Sequence, residues 1–175
     1  MYLDFYQINK DISLRKIDLS RVAELYEITK VNLKHLQYLE WSHLPNYSPA
    51  SAYMTVANAL DNWNQKTQYT YFIIKKHKII GDFQIRPTKI ATAFEMGYWL
   101  DYKHRLQGIT STIVNYMCNV NFKLNKKIAV LIIWPSNIPS VNLAISLGFI
   151  KYVGNNNPFC TKTGYDTYIK YLKDH

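Results

Sequence analysis

The chain has 175 residues, enough for one domain with a full core, and 48% of them are hydrophobic, which excludes a disordered chain. Lys and Arg number 21 against 12 Asp and Glu, a net charge of +9. That balance leaves nucleic acid, ribosomes or a polyanionic cofactor open as partners.

Ile12 to Ile17 alternates as an opening strand. Asp18 or Ser20 is a suitable cap for the helix that follows, where Val22, Leu25 and Ile28 recur at helical spacing. Asn32 to Trp41 reads as a second, shorter helix, and Pro45 and Pro49 bracket a loop. Ser48-Pro49 opens another helix, with Tyr53, Val56, Leu60 and Trp63 as its buried stripe. Tyr69 to Lys75 and Ile79 to Ile85 form a hairpin across the polar turn Lys76-His77-Lys78. The basic group Lys75-Lys76-His77-Lys78 reads as solvated surface. Ala91 to Leu100 is a third adjacent strand, and a helix from Ile109 follows, with Ile113, Tyr116 or Met117, Val120 and Leu124 on one face. Ile128 to Trp134 is almost wholly apolar, as in a strand covered on both faces. Asn137 caps a helix striped by Leu143, Ala144 and Leu147, and Gly148 ends it. Phe149 to Val153 and Tyr165 to Leu172 are the last strands. This order gives an α/β fold with a mixed sheet, antiparallel first and partly parallel later, in a single domain over residues 1–175.

No apolar run approaches the ~18 residues of a membrane span. The start, Met1-Tyr2-Leu3-Asp4, lacks the basic and apolar regions of a secretory signal. Cys118 and Cys160 have no partner pattern for a disulfide, a metal or nucleophilic work, so both are taken as structural in a reduced, cytoplasmic setting.

The most informative stretch is Met96 to Ile113. An apolar strand ends at Leu100, a basic turn follows at Lys103-His104-Arg105, and Gly108 opens a helix. The first N–H groups of a helix lack internal partners and sit at the positive end of its dipole. With an arginine in front of them they form an anion site suited to pyrophosphate. The alternative is an ordinary strand-to-helix turn capped by glycine.

Arg105-Leu106-Gln107-Gly108-Ile109-Thr110 resembles the acyl-CoA pyrophosphate loop of the GNAT N-acetyltransferases. Glu95-Met96-Gly97-Tyr98-Trp99-Leu100 is similar to a strand of the branch that includes the ribosomal-protein N-terminal and polyamine acetyltransferases. Asn137 and Ser140, followed by Leu147-Gly148-Phe149, resemble another segment of that branch. The matches run in order from about Ile12 to Leu172. Thr110 stands where Gly or Ala is usual, and Leu106 where many relatives have a second Gly.

The resemblance implies a GNAT fold, with a mixed, mostly antiparallel sheet of six to seven strands and helices on both faces. It implies acetyl transfer from acetyl-CoA, as cosubstrate and without a metal, to a primary amine. Arg105, Gln107, Gly108, Ile109 and Thr110 would hold the pyrophosphate, mostly through backbone N–H groups, with Lys103 or His104 near other phosphates. Backbone groups of Tyr98, Trp99 and Leu100 would pair with the pantetheine arm at a bulge that Gly97 permits; the alternative for the two aromatic side chains is core packing.

Glu95 is the candidate general base, through water; a carboxylate in an apolar strand is costly to bury without a role or a partner. An exposed carboxylate or a structural ion pair is the alternative. Ser140 is the candidate acid for the departing thiolate, against an ordinary first-turn serine. Asn137 would hold the pantetheine amide or serve only as the helix cap. Trp41, His43, Tyr47 and Tyr53 would shape the acceptor pocket, with Glu40 attracting a cationic amine, unless they merely pack two helices.

The expected acceptor is a protein N-terminal α-amine, from a ribosomal or other protein. An α-amine near pKa 8 is about a quarter neutral at pH 7.4, whereas one near 10.4 is only about 0.1% neutral. An α-amine therefore needs little help from a base. The alternatives are a small-molecule amine (polyamine, amino acid or antibiotic) and a non-catalytic acyl-CoA binding module. The scattered lysines argue against direct nucleic-acid binding. No membrane partner is expected, and the protein is expected to be a monomer or homodimer.

Overall fold

The computed structural model describes residues 1–39, 47–154, 156–160 and 163–173. In chain order the main elements are β1 (Phe5–Gln7), β2 (Ile12–Lys16), α1 (Val22–Asn32), α2 (Pro49–Asn64), β3 (Tyr69–Lys75), β4 (Lys78–Pro87), β5 (Ala93–Leu100), α3 (Ile109–Lys123), β6 (Ile128–Ile133), α4 (Ile138–Ser146), β7 (Ile150–Lys151) and β8 (Asp166–Tyr171). The strands bond in the order β1-β2-β3-β4-β5-β6-β8-β7. This is eight strands where six to seven were expected. The additional one is β1, whose three residues are too few to give a period. The chain divides into two compact units, residues 1–84 with 98–109, and residues 85–97 with 110–175.

In the first unit, β2 pairs antiparallel with β1 (Phe5↔Arg15) and with β3 (Ile12↔Lys75 to Lys16↔Tyr71). Asp18 accepts from Ser20 N and caps a 3-10 turn that runs into α1. Ser48 and Ser51 cap α2 reciprocally, with Pro49 in its first turn. One core cluster joins Leu25 of α1, Val56 and Ala59 of α2, Phe72 and Ile74 of β3, Ile79 of β4 and Trp99 of β5. The buried stripe of α2 is Ala52, Val56 and Ala59, while Tyr53 is 51% exposed. The large aromatic falls one position off the apolar face, and two alanines allow close packing there. The short helix expected from Asn32 is a single 3-10 turn, Leu33–His35, because α1 itself continues through Asn32. Residues 40 and 41 of that expected helix lie outside the described residues.

The β3–β4 turn has Lys76 and His77 both left-handed (φ 48° and 66°), the geometry that matches hairpin twist. It is tied to the start of α1. The Arg21 guanidinium donates to the His77 carbonyl oxygen at 2.7 Å, and Glu24 accepts the Ile79 N–H at 2.6 Å. Gly81 of β4 meets the end of β5 so closely that a β-carbon there would lie 2.1 Å from the Trp99 carbonyl oxygen.

In the second unit, β6 is paired parallel with β5 and antiparallel with β8, and β7 flanks β8. Ala93, Val130 and Ile169 centre a cluster that Ile90, Ile128, Ile132, Tyr152 and Phe159 extend. Helix α3 buries Ile113, Val114, Met117 and Cys118. Helix α4 ends in a Schellman cap: Phe149 N donates to Ala144 O and Gly148 N to Ile145 O, with Gly148 left-handed at φ 78°.

Candidate active site

In the first unit, β5 delivers Tyr98, Trp99 and Leu100 to a turn that ends at Gly108. Trp99 is buried in the core cluster, and its indole N–H donates to Asp82 Oδ2 at 2.6 Å. Its side chain is a core element. Leu100 is buried and Tyr98 half-buried.

After Leu100 the chain is fastened by side chains. Asp101 is 8% exposed and caps the 3-10 turn Tyr102–His104. Asn32, fully buried at the end of α1, donates to Asp101 Oδ1 at 3.0 Å and accepts the Tyr102 N–H at 2.9 Å. The Arg105 guanidinium donates to the His35 carbonyl oxygen at 3.1 Å and to that of Leu100 at 3.4 Å. Its fork of donors is therefore directed at backbone carbonyls.

Leu106 is left-handed at φ 59° and fully exposed, and Gly108 is left-handed at φ 71°. Gln107, exposed between them, donates to the Lys103 carbonyl oxygen and accepts from Lys75 Nζ, each at 3.0 Å. Ile109 is buried where α3 begins. Two left-handed residues thus feed the start of α3, where the positive end of a helix dipole lies. Lys75, Lys103 and Arg105 supply the positive charge, and Asp101 is the acid of the turn. This is the chemistry a phosphate diester or monoester requires, and the turn fits the phosphates of acetyl-CoA.

In the second unit, Glu95 of β5 lies opposite Val130 in the parallel ladder with β6. That ladder runs from Ala93↔Ile128 to Met96↔Leu131 and stops one residue before Gly97, although β5 itself runs on to Leu100. Glu95 Oε1 accepts from Arg86 NH1 of β4 at 2.8 Å, with side chains 20% and 35% exposed. Thr110 is half-buried in the first turn of α3. Asn137 caps α4, its side chain accepting the Ser140 N–H at 3.4 Å, and Ser140 is half-buried in the helix's first turn beside Pro139.

Two residues of consequence escaped the sequence reading. Lys75 was counted in a solvated basic group, yet it reaches Gln107 from 32 positions away. Arg86 partners Glu95; the only signal for it was the cost of an uncompensated carboxylate in an apolar strand. Of the expected acceptor residues, Glu40, Trp41 and His43 lie outside the described residues. Tyr47 stacks on Tyr26 at 5.8 Å, and its hydroxyl pKa is raised, chiefly by burial. Tyr53 is exposed on α2. Among the described residues, no group of three or more His, Cys, Asp or Glu side chains is placed to hold a metal, and no helix is long and apolar enough to cross a membrane.

Three solved structures share this architecture. Microcin C7 self-immunity acetyltransferase MccE, in complex with acetyl-CoA and AMP, is 19% identical with a TM-score of 0.81, over 94% of each chain. The Salmonella typhimurium acetyltransferase that modifies the N-terminal serine of ribosomal protein L7/L12 is 18% identical with a TM-score of 0.81, over 97% of this chain and 99% of that one. Ribosomal-protein-S5-alanine acetyltransferase from Vibrio fischeri is 21% identical with a TM-score of 0.74, over 97% of each chain. At these identities the likeness is one of fold. No curated protein matches the sequence. Residues 11–150, however, match the acetyltransferase (GNAT) domain family. With that match on a phosphate-suited turn in a GNAT-type sheet, the chain belongs to the GNAT acetyltransferases and is an acetyl-CoA-dependent N-acetyltransferase.

Proposed function

We propose that this enzyme acetylates the α-amine of a protein N-terminus, a ribosomal protein being the acceptor class, as one catalytic domain over residues 1–175 in the cytoplasm. The observation that carries this reading is the Arg86–Glu95 ion pair at 2.8 Å. The pair occupies one Glu95 oxygen with a guanidinium donor and fixes the carboxylate in place on β5. An α-amine near pKa 8 tolerates a weak base; an amine near 10.4 must first overcome a penalty of about a hundredfold in its neutral fraction. The likeness in fold to an acetyltransferase that modifies the N-terminal serine of a ribosomal protein, and to a second ribosomal-protein acetyltransferase, supports this acceptor class.

Acetyl-CoA supplies the activated acetyl group. Backbone N–H groups of Gln107, Gly108, Ile109 and Thr110 bind its pyrophosphate, on a turn that Arg105 holds in place. Backbone groups of Tyr98, Trp99 and Leu100 take the pantetheine arm where the parallel ladder has ended, and polarise the thioester carbonyl. Glu95 draws a proton from the incoming amine through water. As the new bond from the amine nitrogen to the acetyl carbon displaces the thiolate, the Ser140 hydroxyl gives that thiolate a proton and regains one from solvent, and Asn137 fixes the serine by capping its helix.

A small-molecule amine is the second reading. It is favoured by the likeness to MccE, a microcin C7 self-immunity acetyltransferase that binds AMP as well as acetyl-CoA. The deciding experiment is release of free thiol from acetyl-CoA with a panel of N-terminal peptides, polyamines and aminoglycosides. Peptides beginning with Ser or Ala are expected to be turned over most efficiently. Turnover of polyamines or aminoglycosides with no peptide acetylated would overturn the N-terminal assignment.

A further inference from the structure

Gln107 holds two partners at once. Its Nε2 donates to the Lys103 carbonyl oxygen, and its Oε1 accepts from Lys75 Nζ, each at 3.0 Å. Lys75 is the last residue of β3, half-buried and in register with Ile12 of β2. A rigid strand end therefore places an ammonium on the turn that opens α3. An ammonium has three N–H donors, and Gln107 takes one.

The cation expected at this point, Arg105, is oriented otherwise. Its guanidinium donates to the carbonyl oxygens of His35 and Leu100. Redirecting it to a phosphate would cost two backbone hydrogen bonds and loosen the turn. The acid of the turn does not compete for Lys75 either. Asp101 is buried and accepts from the Asn32 amide and the Lys103 N–H.

We propose that Lys75 is the principal side-chain cation for a phosphate of acetyl-CoA, that Gln107 positions it, and that Arg105 is the anchor of the turn. This rests on residues 101–109 being the phosphate-binding segment. The cosubstrate carries a pyrophosphate and a 3′-phosphate, and an ammonium serves either oxyanion through the same charge-assisted hydrogen bond.

The test is calorimetric binding of CoA and of 3′-dephospho-CoA to the full chain and its Lys75→Gln and Lys75→Arg variants, with the melting temperature of each free protein. Lys75→Gln is expected to weaken CoA about tenfold, the effect of one charge-assisted bond. Lys75→Arg should recover most of the loss, and the melting temperatures should agree. An equal loss for both ligands assigns the pyrophosphate, and a loss confined to CoA assigns the 3′-phosphate; each supports the proposal. Undiminished CoA affinity in Lys75→Gln, or a loss in Lys75→Arg as large as in Lys75→Gln, overturns it and leaves the phosphate turn standing. Failure of the unaltered protein to bind either ligand overturns the phosphate turn itself.

Discussion

Asn32 and Asp101 face each other across 69 residues of chain, 3.0 Å from amide nitrogen to carboxylate oxygen, both sequestered from solvent. The same amide accepts the Tyr102 N–H at 2.9 Å, so one side chain satisfies two groups of the turn. Removing it leaves a buried carboxylate and a partly buried N–H each short of a partner, the buried group alone costing about 1–3 kcal/mol. Asn32→Leu is expected to lower the unfolding free energy by about 3 kcal/mol in urea denaturation. A change under about 0.5 kcal/mol would show that the link contributes nothing. Asn32→Asp should cost more at pH 7 than at pH 4.5, because protonating one of two facing carboxylates relieves their repulsion.

Leu106 is a leucine with positive φ and a fully exposed side chain. The left-handed region costs a residue with a β-carbon about 1–2 kcal/mol, and no packing offsets it here. Leu106→Gly should stabilise the protein by about 0.5–1 kcal/mol, after allowing for the greater unfolded-state entropy of glycine. Thermal denaturation checks this, and a destabilised Leu106→Gly protein would contradict the strain argument.

If Glu95 handles the proton of the amine, its loss must depend on how firmly the acceptor holds that proton. Glu95→Gln should lower kcat/KM about tenfold or less for an N-terminal peptide, and about a hundredfold or more for a polyamine, at neutral pH. Rates with the peptide should climb with pH as its α-amine deprotonates near 8. Equal losses for both acceptors would leave Glu95 as a structural partner of Arg86 alone.

Burial pushes the Cys118 thiol up to about 11, against a small opposing pull from Lys170. At pH 8 only about 0.1% is thiolate, compared with about a quarter of an ordinary cysteine near 8.5. Iodoacetamide should modify Cys118 about two hundred times more slowly than a free cysteine, as followed by peptide mass mapping. Rapid labelling in the folded protein would disprove this. The folded state favours the neutral thiol, so the stability this group confers is whole below pH 9 and is lost as pH rises towards 11.

Much of the fold was legible because local signals and apolar period agreed. Ser48 and Asn137 cap the helices at which they were expected, while Asp18 caps the 3-10 turn that precedes α1; each capping oxygen bonds an N–H two or three residues ahead. Such bonds depend on sequence neighbours alone. Misreadings arose where distant packing decides. Tyr53 follows the helical period nearly as well as Ala52, and only the space beneath α2 favours the smaller residue. The positions of Gly108, Ile109 and Asn137 at helix starts could be read from type and spacing. The direction of the Arg105 side chain could not, since its partner is a carbonyl 70 positions earlier. Lys75 is the same case in reverse: nothing in its own neighbourhood distinguishes it from Lys76 or Lys78.

The ties between the end of α1 and the turn after β5 also order events during biosynthesis. Asn32 and His35 are made early, but the groups that engage them, Asp101, Tyr102 and Arg105, come about 70 residues later. Closing so long a span pays its chain entropy before any contact returns it. The nascent protein can form α1 and the β3–β4 hairpin while it is still growing. The turn suited to phosphate takes shape only once more than half the chain has been made, so a ribosome stalled before residue 101 would carry a chain without it.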